Sequence, residues 1–192
     1  MFASELTDIS AIVGQMKEPF VASRYDPASA VEKPWALTGC AGRGRLDVKS
    51  LHLKDNAIEL HNWKLHEKYE RIRKDETRAE SYMLDGATIA IVAFGTAARV
   101  SKTAIQWARK EGIAAGMLRP ITLFPFPERE VSELSRTVDV LLVIEMNTGQ
   151  MVEDVRQCTP LHDRIAFLGK PCVMPTPEEI LDRIRLLAGR KG

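Results

Sequence analysis

The chain has 192 residues, with 27 basic and 26 acidic side chains and a formal charge of +1. That balance gives no broad electrostatic case for nucleic acid or an acidic membrane surface, and the length allows one good core with some chain left over for an arm. No apolar run approaches the roughly 20 residues of a membrane span, and no basic-then-apolar leader opens the chain, so a soluble, cytoplasmic protein is expected.

Residues 1–54 read as an arm. Ile9 to Phe20 can form a short structured piece, and Tyr25-Asp26-Pro27, Lys33-Pro34-Trp35 and Thr38 to Arg45 are rich in turn formers. Gly39–Arg45 joins glycine flexibility to two arginines, which allows a phosphate contact. It lacks the Lys-Ser/Thr of a P-loop and any strand-to-helix context, and a solvated or partner-covered arm is the favoured reading. Cys40, Cys158 and Cys172 form no CxxC pair and suit a reducing compartment. Three thiols cannot by themselves hold the usual four-thiolate iron–sulfur cluster, and buried or idle cysteines are the favoured reading.

Residues 55–84 predict one long helix. Ile58, Leu65, Tyr69, Ile72, Ala79 and Met83 fall on one side at helical spacing, while Glu67/Arg71 and Glu70/Lys74 stand in the favourable i,i+4 order on the other. Its apolar side needs a sheet or a neighbouring subunit to lie against. His61 and His66, five apart, miss the spacing that puts two metal ligands on one face. They read, with His52, as surface or interface residues.

From Ala87 one construction occurs twice. The run Thr88 to Phe94 stops at Gly95-Thr96 and yields to an amphipathic helix. About fifty residues later Val140 to Ile144 stops at Glu145 to Gln150, and a second helix begins. Near-continuous apolar runs mean strands covered on both faces, hence a parallel sheet in an α/β domain. Thr96 is placed to cap a helix from about Ala97 to Glu111, with Ala97, Val100, Ala104, Ile105 and Ala108 inward and Gly112 ending it. A strand at Ile113–Leu118, a stiff connection with three prolines, a helix around Glu128–Arg136 and a strand at 138–144 follow. Met151, Val152 and Val155 are core candidates of the next helix. Arg164–Leu168 is a short strand nearer an edge. Thr176 and Pro177 open a last helix that buries Ile180, Leu181, Ile184 and Leu187.

If the two long strands lie side by side and point the same way, their polar exits share a rim, where α/β sheets gather ligands. Thr96, Arg119, Glu145, Asn147, Gly149 and Gln150 are the candidate ligand or interface residues there. They offer a helix N-terminus, a cation, an acid and amides suited to a small anion. The other reading is structural: Thr96 caps, Gly95 and Gly149 turn, Glu145 pairs with Arg119 or another basic residue, and the helix end satisfies itself or packs on another subunit. No GxGxxG, GxSxG or nucleophile–base order occurs, so no catalytic residue is assigned.

Several segments carry a family resemblance. They are Lys33 to Gly39, Glu67-Lys68-Tyr69, Ile91 to Arg99, Leu118 to Pro127 and Glu145 to Arg156. Together, in order from about Ile12 to Ile184, they resemble the alpha subunit of 2-oxoacid:ferredoxin oxidoreductases, of the 2-ketoisovalerate type. The resemblance implies a three-layer α/β/α sandwich with a mostly parallel sheet, like a transketolase C-terminal domain, over 55–192, preceded by the extended arm and long helix. It makes residues 1–54 the remnant of, and linker from, a missing pyrimidine-binding domain, of which Ile12 to Pro19 resembles the closing segment. Family members decarboxylate a 2-oxoacid on thiamine diphosphate with its Mg, pass electrons through iron–sulfur clusters to ferredoxin, and form an acyl-CoA. No thiamine or cluster ligand of the family maps onto this chain. The resemblance thus implies an assembly role, inactive alone, beside thiamine-binding, gamma and ferredoxin-like subunits, with the strand-end turns lining a substrate or CoA approach. Two other readings stand beside it. One is a free-standing homodimeric module binding a small anion at the strand ends; the other is a sound core without activity of its own. The apolar side of the long helix favours self-association, as a homodimer, in each case.

Overall fold

The two apolar runs become neighbouring central strands because every side chain on them finds cover. In the computed structural model, which describes residues 33–47 and 51–189, β2 (Ile89–Val92) pairs in parallel with β4 (Val140–Glu145), matching Ile89 with Val140 and Val92 with Val143. Successive side chains alternate between two cores. Ile89, Ile91, Leu142 and Ile144 face one layer of helices, and Ala90, Val92, Leu141 and Val143 face the other. That two-sided burial is what the unbroken hydrophobic pattern encodes.

Five strands form the sheet in the order β1-β3-β2-β4-β5. Strand β3 (Ala115–Pro120) lies parallel to β2, β5 (Ile165–Gly169) lies parallel to β4 at one edge, and β1 (Ala79–Tyr82) closes the other edge antiparallel to β3. The long helix α1 (Ala57–Glu76) precedes β1. Helix α2 (Gly95–Lys110) and helix α5 (Pro177–Ala188) cover the first core; α3 (Glu128–Thr137) and α4 (Met151–Gln157) cover the second. The expected three-layer, mostly parallel α/β/α sandwich with an antiparallel edge strand is present.

The terminal helix matches its expected construction. Thr176 accepts from the Glu179 amide, the Glu179 carboxylate accepts from the Thr176 amide, and Pro177 takes the first turn. Ile180, Leu181, Ile184 and Leu187 are all buried. Gly112, with φ 81°, ends α2 in the left-handed turn that a Cβ would strain.

The helix expected over 55–84 is shorter than its periodicity suggests. It stops at Glu76, and residues 79–82 join the sheet instead. The Thr77 hydroxyl donates to the Arg73 carbonyl at 2.7 Å, and the Arg78 carbonyl accepts from the amides of Ile121 and Thr122 while its own amide donates to the Thr122 hydroxyl. Held there, the chain gains a strand ladder and seats Tyr82 against the first core. Ala79 and Met83 therefore leave the helical stripe. No residue of α1 is buried.

The described residues divide into two compact units, one containing Tyr69 onward and the other containing those up to Lys68. In the latter, Arg43 is spent on its own segment, donating to the carbonyls of Gly44 and Ala36 and to the Thr38 hydroxyl, and Arg45 pairs with Asp47 at 2.7 Å. The two arginines considered for a phosphate thus have local partners. The piece expected at Ile9–Phe20 and the segment Ile12–Pro19 lie outside the described residues. Among the described residues, no helix is long and apolar enough to cross a membrane.

Candidate functional site

The chain steps from β2 to β3 on one side, then crosses back to β4 on the other, so its topological switch point lies between the carboxyl ends of β2 and β4. There α2 and α4 diverge to opposite faces of the sheet. The polar exits of the two strands therefore do lie on one rim, built from Phe94-Gly95-Thr96 and the turn after Glu145.

The turn after β4 is organised by the Glu145 carboxylate, which is only 1% exposed. One oxygen accepts from the amides of Met151 at 2.8 Å and Gln150 at 3.3 Å and from Asn147 Nδ2 at 3.0 Å; the other accepts from the Val152 amide at 2.9 Å. Asn147 Oδ1 in turn accepts from the amides of Gly149 at 2.7 Å and Gln150 at 3.2 Å, an Asx turn. Four successive amides, 149 to 152, thus meet side-chain oxygens from the same turn. Gly149, with φ 110°, supplies the left-handed step that brings them round. A buried carboxylate is tolerated here because charge-assisted hydrogen bonds and the positive end of α4 replace its lost water.

Neighbouring segments brace this arrangement. The Lys170 amide donates to the Glu145 carbonyl at 2.9 Å and the Cys172 amide to the Met146 carbonyl at 3.0 Å, so the exit of β5 is tied to the exit of β4. Lys170 Nζ holds both carboxylate oxygens of Glu179, at 2.6 and 2.7 Å. That contact, together with the Thr176 amide, holds the Glu179 carboxyl below the usual range.

Two candidate residues stand differently from expectation. Arg119 does not reach Glu145. It lies on β3 opposite Glu80 of the edge strand and donates to that carboxylate at 3.1 Å, while Lys102 of α2 holds the other Glu80 oxygen at 3.1 Å. Glu80 is the partner that sequence reasoning missed, because residues 79–82 were assigned to a helix. Thr96 does not occupy the capping position: that residue is Phe94, in extended conformation and without a side-chain cap, and the chain turns through Gly95 at φ 55°. Thr96 sits buried inside the first turn.

On the α4 side, acidic groups crowd together. Burial, then Glu145, Glu128 and Glu153, raise the Asp154 carboxyl above its ordinary value. Burial, then Glu128 and Asp154, push the Cys158 thiol to about 11.

Comparison with known proteins places this arrangement. Residues 87–179 match the family described as pyruvate:ferredoxin oxidoreductase core domain II. That domain model and the relatives below make the chain similar to subunits of 2-oxoacid:ferredoxin oxidoreductases. It is 37% identical over 187 residues to ketoisovalerate oxidoreductase subunit VorB of Methanothermobacter thermautotrophicus, covering 96% of this chain and 52% of that protein. It is also 37% identical over 101 residues to 2-oxoglutarate synthase subunit KorA of Methanothermobacter marburgensis, covering 52% of this chain and 27% of that protein. Among solved structures it is similar to the 2-oxoglutarate:ferredoxin oxidoreductase from Magnetococcus marinus with 2-oxoglutarate, coenzyme A and succinyl-CoA bound. That likeness has a TM-score of 0.62 at 22% identity over 70% of this chain and 24% of the other, and it shows the fold. The chain spans about half the length of the VorB relatives it matches.

Among the described residues, neither the turn after β4 nor the three cysteines fit a diphosphate or an iron–sulfur cluster. A diphosphate at the β4 exit would need the amides that Glu145 and Asn147 already hold. Cys40 and Cys172 are exposed, Cys158 is half-buried, and among the described residues no group of three or more His, Cys, Asp or Glu is placed to hold a metal ion.

Proposed function

We propose that this chain is the core domain II portion of an alpha-type subunit in a thiamine-diphosphate-dependent 2-oxoacid:ferredoxin oxidoreductase. It acts as an assembly domain, while thiamine diphosphate, Mg, the iron–sulfur clusters and CoA are held on other polypeptides or on another part of the subunit. The complex would oxidatively decarboxylate a 2-oxoacid to an acyl-CoA, passing electrons to ferredoxin. The reading is carried by similarity along nearly the whole chain to VorB, whose name supplies 2-ketoisovalerate as the first substrate to try.

The geometry supports a supporting rather than a catalytic part. The strand-end turn that most resembles a ligand site is internally satisfied, and Arg119 is engaged with Glu80. Helix α1 leaves Ile58, Leu60 and Trp63 exposed and buries none of its residues, a surface suited to another subunit. In isolation, a second copy of the chain would cover it as a homodimer.

Affinity purification of the chain co-expressed with the thiamine-binding, gamma and ferredoxin-like subunits tests the proposal. Stoichiometric recovery of those subunits, with 2-oxoacid- and CoA-dependent reduction of a viologen dye once the rest of the alpha subunit is supplied, is the expected result. Recovery of the chain alone, with every candidate partner supplied, would overturn it.

A further inference from the structure

We infer that the turn after β4 is an anion site whose ligand is the chain's own Glu145 carboxylate, so that no diphosphate or 2-oxoacid carboxylate enters it while Glu145 is in place. Independent of the oxidoreductase reading, this concerns the chain by itself.

Backbone amides at such a turn can serve an incoming oxyanion. Here the amides of Met151 and Val152 point at opposite oxygens of one carboxylate, at 2.8 and 2.9 Å. Asn147 fixes that carboxylate through Nδ2 while its Oδ1 holds the amides of Gly149 and Gln150. The carboxylate is buried and arrives from the last residue of a central strand. An external oxyanion would have to displace a covalently tethered one of like charge, whose effective concentration at the site far exceeds any free ligand's. A Cβ on Gly149 would stand 3.1 Å from Val152 Cγ1, so the turn is closely packed as well as occupied.

Removing the tethered anion should therefore open the site to a free one. The test is thermal unfolding of the full chain and of Glu145→Ala in acetate, phosphate or thiamine diphosphate, each against chloride at matched ionic strength. The wild-type midpoint should follow ionic strength alone. Glu145→Ala should unfold at lower temperature and regain about 3–6 °C, saturably, at acetate ten times its dissociation constant. Rescue of the variant no better than chloride gives would overturn the inference. Amide hydrogen exchange at Met151 and Val152 of the wild-type chain supplies a readout that needs no variant. Slow exchange unchanged by phosphate or thiamine diphosphate supports the tethered carboxylate. A ligand-dependent change at those two amides would overturn it, even if Glu145→Ala failed to fold.

Discussion

The carbonyl oxygen of Asn147 lies so close to Gly169 that a Cβ built on residue 169 would stand 2.8 Å from it. The same Cβ would stand 2.5 Å from Phe167 Cζ. The exits of β4 and β5 are thus packed to within a hydrogen atom's clearance, reinforcing the amide contacts from Lys170 and Cys172. Gly169→Ala should cost about 2 kcal/mol, since the ring can shift more readily than the backbone carbonyl. Urea unfolding measures this; an unchanged midpoint would show that the two exits are not in tight register.

A second glycine pins the opposite edge. A Cβ on Gly116 of β3 would meet the Met83 carbonyl oxygen at 2.4 Å and Leu84 Cδ2 at 2.9 Å. That carbonyl is already held by Arg109 Nη2 at 2.5 Å, and Arg109 Nε holds the Ala115 carbonyl at 2.7 Å. Gly116→Ala should destabilise by about 3 kcal/mol, because backbone rather than a side-chain tip must yield. Loss of the antiparallel edge strand should appear as faster amide exchange over Ala79–Tyr82.

Much of this architecture was legible in the sequence. Two-sided burial wrote itself into Ile89–Val92 and Val140–Ile144 as unbroken apolar runs, and Thr176-Pro177 with Glu179 announced a helix start through local chemistry. The end of α1 was not legible, because Ala79 and Met83 continue the helical spacing and the competing interaction comes from Thr122, 44 residues away. The partner of Arg119 was lost with it, since Glu80 faces that arginine only when residues 79–82 form a strand. Thr96 misled for a different reason: Gly95 takes a left-handed turn that starts the helix two residues early. Glu145 did carry a usable signal, an acid ending a buried strand just before an Asn-x-Gly turn and a helix.

Asp154 should make stability depend on pH in a definite direction. Its carboxyl is raised in the folded chain, chiefly by burial and then by Glu145, Glu128 and Glu153. The folded state therefore binds this proton more tightly than the unfolded state does. The resulting stability is fully present below the unfolded value, about 4, and is lost as pH rises through the folded value. Asp154→Asn should be more stable than wild type at pH 7, with the gap closing as pH falls below about 4. A gap that widens towards acid would contradict the assignment.

The thiols should differ sharply in reactivity. Cys40 and Cys172 are exposed, whereas the Cys158 thiol is pushed to about 11 and donates to the Asp154 carbonyl. Only the thiolate reacts appreciably. Iodoacetamide at pH 7.5 should label Cys40 and Cys172 promptly in the folded chain and Cys158 only on unfolding, read by peptide mass spectrometry. Prompt labelling of Cys158 would show that α4 opens or that its acidic surroundings are otherwise arranged.

Native mass spectrometry of the chain co-expressed with the thiamine-binding subunit tests the central claim most directly. The account predicts a stoichiometric complex in which thiamine diphosphate follows the number of partner subunits and is never retained by this chain when the two are separated. A chain that stays unassembled beside that subunit, or that carries thiamine diphosphate by itself, would contradict it.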